Sequence, residues 1–143
     1  MDAADKIILK ALAENARIPV KGLAEKAFLS SPAVSARVDR LEKSGVIRAY
    51  HAELDLKALG YEILAFINLS ISPDKRKEFR EWIDGCTNVM ECHHVTGSYS
   101  LLMKAAFANT LDMESFVGRL QHYGSTQTQV VFSTLVEPRQ PVE

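Results

Sequence analysis

Residues 29–50, Leu-Ser-Ser-Pro-Ala-Val-Ser-Ala-Arg-Val-Asp-Arg-Leu-Glu-Lys-Ser-Gly-Val-Ile-Arg-Ala-Tyr, bring hydroxyls, small side chains and cations together at helical spacing. That combination suits contact with a DNA duplex. Ser30 or Ser31 caps a helix that begins at Pro32, a residue well placed in a first turn, and Gly45 ends it. Val34, Val38 and Leu41 lie at i, i+4 and i+7 and point to a core. Pro32, Ala33, Ser35, Ala36, Arg37 and Arg40 then face outward, with Ser31 at the start. An arginine fork matches guanine edges or phosphate oxygens, and serine hydroxyls reach either. Small side chains let the backbone approach the bases. Lys43, Arg48 and His51 are placed for phosphates, while Ser35, Arg37 and Arg40 are the expected principal DNA contacts. A helical bundle with a solvated basic face has the same periodicity, so this segment alone leaves both readings open.

Other chemistry is thinly represented. Cys92-His93-His94 invites a metal reading, with Cys86 nearby. On a strand, neighbours point to opposite faces, so Cys92 and His94 share a face that His93 cannot join. Two ligands fall short of the four of a structural zinc site, and no metal or other cofactor is expected. Glu91, His93, Ser98 and Ser100 lie close in sequence without forming a nucleophile elbow or a positioned base. There is no Gly-rich phosphate loop. The chain is therefore not expected to be an enzyme.

The chain has 143 residues, 47% of them hydrophobic, which is enough for one ordinary domain or two small ones. No apolar run is long enough to span a bilayer. Met-Asp-Ala-Ala-Asp lacks the basic start of a secretory signal. Two cysteines without a Cys-x-x-Cys pair fit a reduced, cytoplasmic protein. The formal net charge is −1, unevenly spread. Residues 1–55 hold nine Lys/Arg against eight Asp/Glu, and residues 56–143 hold eight against ten. One weakly basic patch releases few counterions from DNA, so two or more copies must act together.

The elements that position these residues follow from periodicity. Helices are expected at 2–14, capped by Asp2 with Asp5 in the first turn, and at about 20–27. The helix from Pro32 follows, and then an alternating stretch, 46–54, that reads as a strand or hairpin arm. Three helices of this length and spacing match a helix-turn-helix, with 46–54 as its wing. Residues 55–61 form a linker with a turn at Gly60. Beyond it come a strand at 62–71, a helix from Ser72-Pro73-Asp74 to Gly85, strands at 89–95 and 99–107, a helix capped by Thr110, and a strand at 126–136. Residues 138–143 are a tail. The order βαββαβ over 62–137 is a split βαβ arrangement, so the chain is α+β. Both helices cover one face of an antiparallel sheet. The other face carries Leu64 and Phe66, which predicts burial against a second copy.

Taken in order, Asp5-x-x-Ile-Leu, Arg17-Ile18, Leu23-Ala24, Leu29-Ser30, Arg37-Val38-x-Arg40-Leu41-Glu42, Gly45-Val46-Ile47 and Tyr50 resemble the Lrp/AsnC (feast/famine) transcription regulators. So do Val95-Thr96-Gly97 and Gly124-Ser125-Thr126-Gln127-Thr128, and the resemblance covers nearly the whole chain. It implies a winged helix-turn-helix over 1–54 and a ferredoxin-like, RAM/ACT-like domain over 62–137. It implies homodimers that assemble to octamers, double-stranded DNA as partner, no membrane association, and control of amino-acid metabolism genes. It also implies a small effector, an amino acid or related metabolite, held near Gly97, Ser98, Tyr99 and Ser100, with Thr126 and Thr128 from a neighbouring subunit.

The chain departs from the family pattern at two places. Many members that bind amino acids carry Asp after the Thr-Gly turn, in a Gly-Asp-x-Asp-Tyr type of pattern. The matching positions here are Ser98, Ser100 and Leu101. An amino acid's carboxylate can be held by backbone N–H groups at a glycine turn. Its ammonium needs a carboxylate or several carbonyls, because an unpaired buried charge is costly. Serine hydroxyls are weaker substitutes, so weak effector binding is expected, and an effector-blind architectural DNA-binding protein is the alternative. A small-molecule-binding ferredoxin-like domain without DNA function is a more distant one. The second departure is Phe28, where many relatives have Gly. It predicts a different turn, a strained one, or an aromatic plug between helices.

Overall fold

The structure, a computed structural model, describes residues 1–142. Two compact units divide it. One comprises residues 1–53 with the chain from Val136 onward, and the other comprises residues 54–135. Glu143, the last residue of the expected tail, lies outside the described residues.

The first unit is built on three helices: α1 (Ala3–Glu14), α2 (Val20–Ala27) and α3 (Ser31–Lys43). Helix α1 opens with a reciprocal capping box. The Asp2 carboxylate accepts from the Asp5 backbone N–H, and the Asp5 carboxylate accepts from that of Asp2, both at 3.0 Å. The Ser30 hydroxyl caps α3 through the Ala33 N–H. Ile8, Ala11, Leu23, Ala24, Ala27, Val34 and Leu41 form the core.

Helix α3 ends in a Schellman motif. Gly45 donates its N–H to the Glu42 carbonyl and Val46 to that of Leu41. Gly45 takes φ +74°, the left-handed conformation this motif requires. Helix α2 ends in the same way, with Phe28 donating to Glu25 and Leu29 to Ala24. Phe28 there takes φ 54° and ψ 43°. A side chain in that region costs about 1–2 kcal/mol.

The expected strand at 46–54 does not form: those residues are turn and irregular backbone. A strand needs a ladder partner for its N–H and C=O groups, and the helical unit offers none. Instead the segment is tied back to α3. Tyr50 donates its hydroxyl to Glu42 at 2.7 Å. Loss of water around the phenol, together with that carboxylate, pushes its pKa up to about 12.

The second unit contains β1 (Ile63–Ile71), a 3₁₀ turn (Pro73–Lys75), α4 (Arg76–Ile83), β2 (Val89–His94), β3 (Leu101–Phe107), α5 (Thr110–Leu120) and β4 (Gly124–Val130). The sheet is antiparallel in order β2-β3-β1-β4. Ala65, Ile67 and Leu69 of β1 stand beside Ala105, Met103 and Leu101 of β3. This face packs under Phe79, Phe116, Leu120 and Tyr123, with Trp82 stacked on Phe116 at 5.5 Å. Asn109 caps α5 through the Asp112 N–H, one residue before the expected Thr110.

Strand β4 stops at Val130, six residues short of its expected end. Val130 pairs with Ala65, and β1 begins only two residues earlier. After the Val131 N–H bonds the Leu64 carbonyl at 2.8 Å, no ladder is left to join. Phe132 and Leu135 are accordingly almost fully exposed.

Candidate nucleic-acid interface and effector region

Helix α3 is held against α1 by charge. One Arg37 terminal nitrogen, Nη1, donates to both Asp2 oxygens at 2.7 and 2.8 Å and to Asp5 Oδ1 at 2.7 Å. Arg40 Nη2 donates to both Asp5 oxygens at 2.9 Å. The Asp5 side chain is 2% exposed. The donated Asp2 N–H and the two guanidinium groups hold its pKa down to about 2 against the opposing effect of burial. Asp2 is lowered in the same way, first by the Asp5 backbone N–H and then by Arg37. Charge-assisted bonds of this kind are the strong ones, and the guanidinium presents several donors from one rigid plane.

This network corrects the outward placement of Arg37. Counting 100° per residue, the direction opposite Val34, Val38 and Leu41 passes through Pro32, Ala36, Asp39 and Lys43, all of them exposed. Arg37 lies near the core-facing side, is only 25% exposed and is spent on carboxylates. Arg40 is 61% exposed with Nη2 engaged, so the rest of its fork meets solvent. Ser31 is exposed, and Ala33 and Ser35 are half-buried on the flanks. Arg48 and His51 are exposed on the segment after the helix. Sequence reasoning did not foresee the clamp, although its signal was present: two carboxylates at i, i+3 and two arginines at i, i+3.

Phe28 is neither a plug nor a different turn. The left-handed turn is kept and the ring is 91% exposed.

The region expected to hold an effector is a turn closed by the Val95 N–H on the Ser100 carbonyl at 2.9 Å. Gly97 and Ser98 are exposed, and Tyr99 is half-buried. The Ser100 hydroxyl accepts from the Ile71 N–H at 3.4 Å and donates to the Leu69 carbonyl at 3.5 Å. It serves the end of β1. Thr126 and Thr128 pair with Leu69 and Ile67 and so point to the helix-covered face. Within one chain, β1 separates them from β3 by two strand spacings, about 10 Å.

The opposite face carries Leu64 and Phe66 of β1, Leu102 and Lys104 of β3, and Glu91 and His93 of β2. Glu91 lies 3.2 Å from His93 and 4.0 Å from Lys104. Cys92 and His94 fall on the other face by register. Among the described residues, no group of three or more His, Cys, Asp or Glu is arranged to hold a metal ion.

A helix-turn-helix joined to a ferredoxin-like sheet defines a class of DNA-binding regulators, and comparison with known proteins agrees. Residues 1–48 match the winged helix-turn-helix DNA-binding family, and residues 64–141 match the Lrp/AsnC ligand binding domain. The chain belongs to the Lrp/AsnC family and is a DNA-binding transcriptional regulator. It is 33% identical to the leucine-responsive regulatory protein of Haemophilus influenzae, over 92% of this chain and 83% of that one. The structure of Bacillus subtilis LrpC superposes with a TM-score of 0.91 at 27% identity, covering 96% of this chain and 99% of the other. A transcriptional regulator from Neisseria meningitidis, in complex with L-methionine, does so with a TM-score of 0.91 at 29% identity, covering 96% and 93%. Among the described residues, no helix is long and apolar enough to cross a membrane.

Proposed function

We propose that this regulator inserts α3 into the major groove and controls genes of amino-acid metabolism as a homodimer that assembles further, up to an octamer. Ser31, Pro32, Ala33, Ser35, Ala36 and the free part of the Arg40 fork meet the groove, and Lys43, Arg48 and His51 meet phosphates. Arg37 positions the helix. The observation that carries this reading is the clamp of Asp2 and Asp5 on α3, which presents a face of small and polar side chains. Asp39 sits at the centre of that face; its carboxylate repels phosphate and can accept from a cytosine amino group. On α3 and the segment after it a single copy brings Lys43, Arg48 and part of the Arg40 fork to the duplex, so twofold repetition supplies the affinity. The outer sheet face, with Leu64, Phe66 and Leu102, joins the copies. Selection of genomic fragments by the full chain tests the reading. Recovery of a shared, twofold-related motif upstream of such genes supports it, and unselective recovery overturns it.

The effector is an amino acid or related metabolite bound near Gly97, Ser98 and Tyr99, with Thr126 and Thr128 of another copy, and it binds weakly. Ser98 brings no charge to an ammonium, and the Ser100 hydroxyl is already bonded to β1. That second fact favours an alternative in which DNA binding ignores metabolites altogether. Calorimetry with a panel of amino acids decides: low-micromolar binding of any one removes the weak-binding reading.

A further inference from the structure

We propose that Phe28 is a specificity-determining residue of the helix-turn-helix, an apolar contact that reads thymine methyl groups beside the start of α3. The proposal rests on the DNA-binding reading above. Helices α2 and α3 end in the same hydrogen-bond pattern. At the left-handed position α3 carries Gly45, while α2 carries Phe28 at φ 54°. The fold gains nothing visible from the exchange, because the ring is 91% exposed. A strained backbone presenting an unpacked aromatic ring points to something outside the chain.

The position of the ring identifies the partner. Phe28 lines a depression of about 620 Å³ together with Lys21 and Glu25 of α2 and Ser31 and Ala33 of the first turn of α3. It therefore sits beside the residues that enter the groove. Lys21 and Glu25, one turn apart on α2, share one side of the depression and offset each other's charge, so the ring is left to the apolar group of a base edge and not to phosphate. The thymine methyl is the apolar group a duplex presents in its major groove, and an aromatic side chain is a suitable partner for it.

The test uses the full-length protein and a duplex recovered by selection from random sequence. Each thymine is replaced in turn by uracil, which removes only the methyl. The wild type should lose about fivefold in affinity at one or two positions. Phe28→Gly should bind the thymine and uracil duplexes alike, at the level of the wild type on uracil. Its melting temperature should hold or rise, because Gly suits this backbone. Phe28→Leu should retain part of the thymine preference. Equal thymine sensitivity in the wild type and Phe28→Gly overturns the proposal, as does a wild type indifferent to every replacement. A wild type that enriches no sequence at all removes the regulator reading with it.

Discussion

Asp5 ties the first helix to the third, and its titration reports on that tie. Its pKa lies at about 2 against the usual 3.8, so the folded state prefers the carboxylate. The stability this group contributes is complete above about pH 4 and is lost as pH falls from there through about 2. Asp5→Asn should therefore melt below the wild type at neutral pH, and the gap should close as acid is added over that window. Thermal melts from pH 2 to 5 check this; a constant gap would mean that the charge is irrelevant. Variants at Arg37 and Lys43 test the proposed division between positioning and contact. Arg37→Ala should lower both the melting temperature and DNA affinity while leaving the salt dependence of binding unchanged, because no phosphate contact is lost. Lys43→Ala should leave the fold intact and flatten the slope of log affinity against log salt by about 1.8 for a dimer, or about 0.9 for each lost contact. Identical slopes in the wild type and Lys43→Ala would take Lys43 off the interface.

Element boundaries divide according to where their causes lie. The helices begin close to where the caps at Asp2 and Ser30 predict, and α3 stops at the Gly45 turn, because these signals sit within a few residues of the ends they mark. The strand ends were not legible in the same way. Residues 46–54 and 132–136 alternate well enough, yet neither is a strand, because a strand exists only where a neighbour runs beside it. Close approach between elements is equally hidden from sequence. Gly124 lies against β1 so tightly that a Cβ there would run into the Ser70 carbonyl oxygen. Gly124→Ala should destabilise the sheet unit by about 2–3 kcal/mol. Denaturant unfolding measures it, and a loss under 0.5 kcal/mol, on the order of a neutral surface change, would mean the strands part easily.

At the scale of the whole molecule, the small net charge and the Leu64, Phe66 and Leu102 patch on the outer sheet face are what the proposed reading builds on, in which affinity comes from repetition. Phe66→Glu, opposite Lys104 on β3 and Gln129 on β4, should shift sedimentation toward single subunits. DNA affinity should fall with it, by tenfold or more on the order expected when bivalent binding is lost. An unchanged sedimentation profile would move the interface elsewhere. The division between sequence and structure follows from range. Periodicity and caps determined the three-helix unit, the βαββαβ order, the buried face of β1 and the start of α3, because each depends on residues a few positions apart. Tertiary structure decided that Arg37 faces carboxylates 32 and 35 residues away, that Ser100 serves β1, and that Phe28 keeps a glycine's conformation with its ring in solvent. Those outcomes depend on which charges, carbonyls and surfaces meet across the fold, and local pattern carries no record of such meetings.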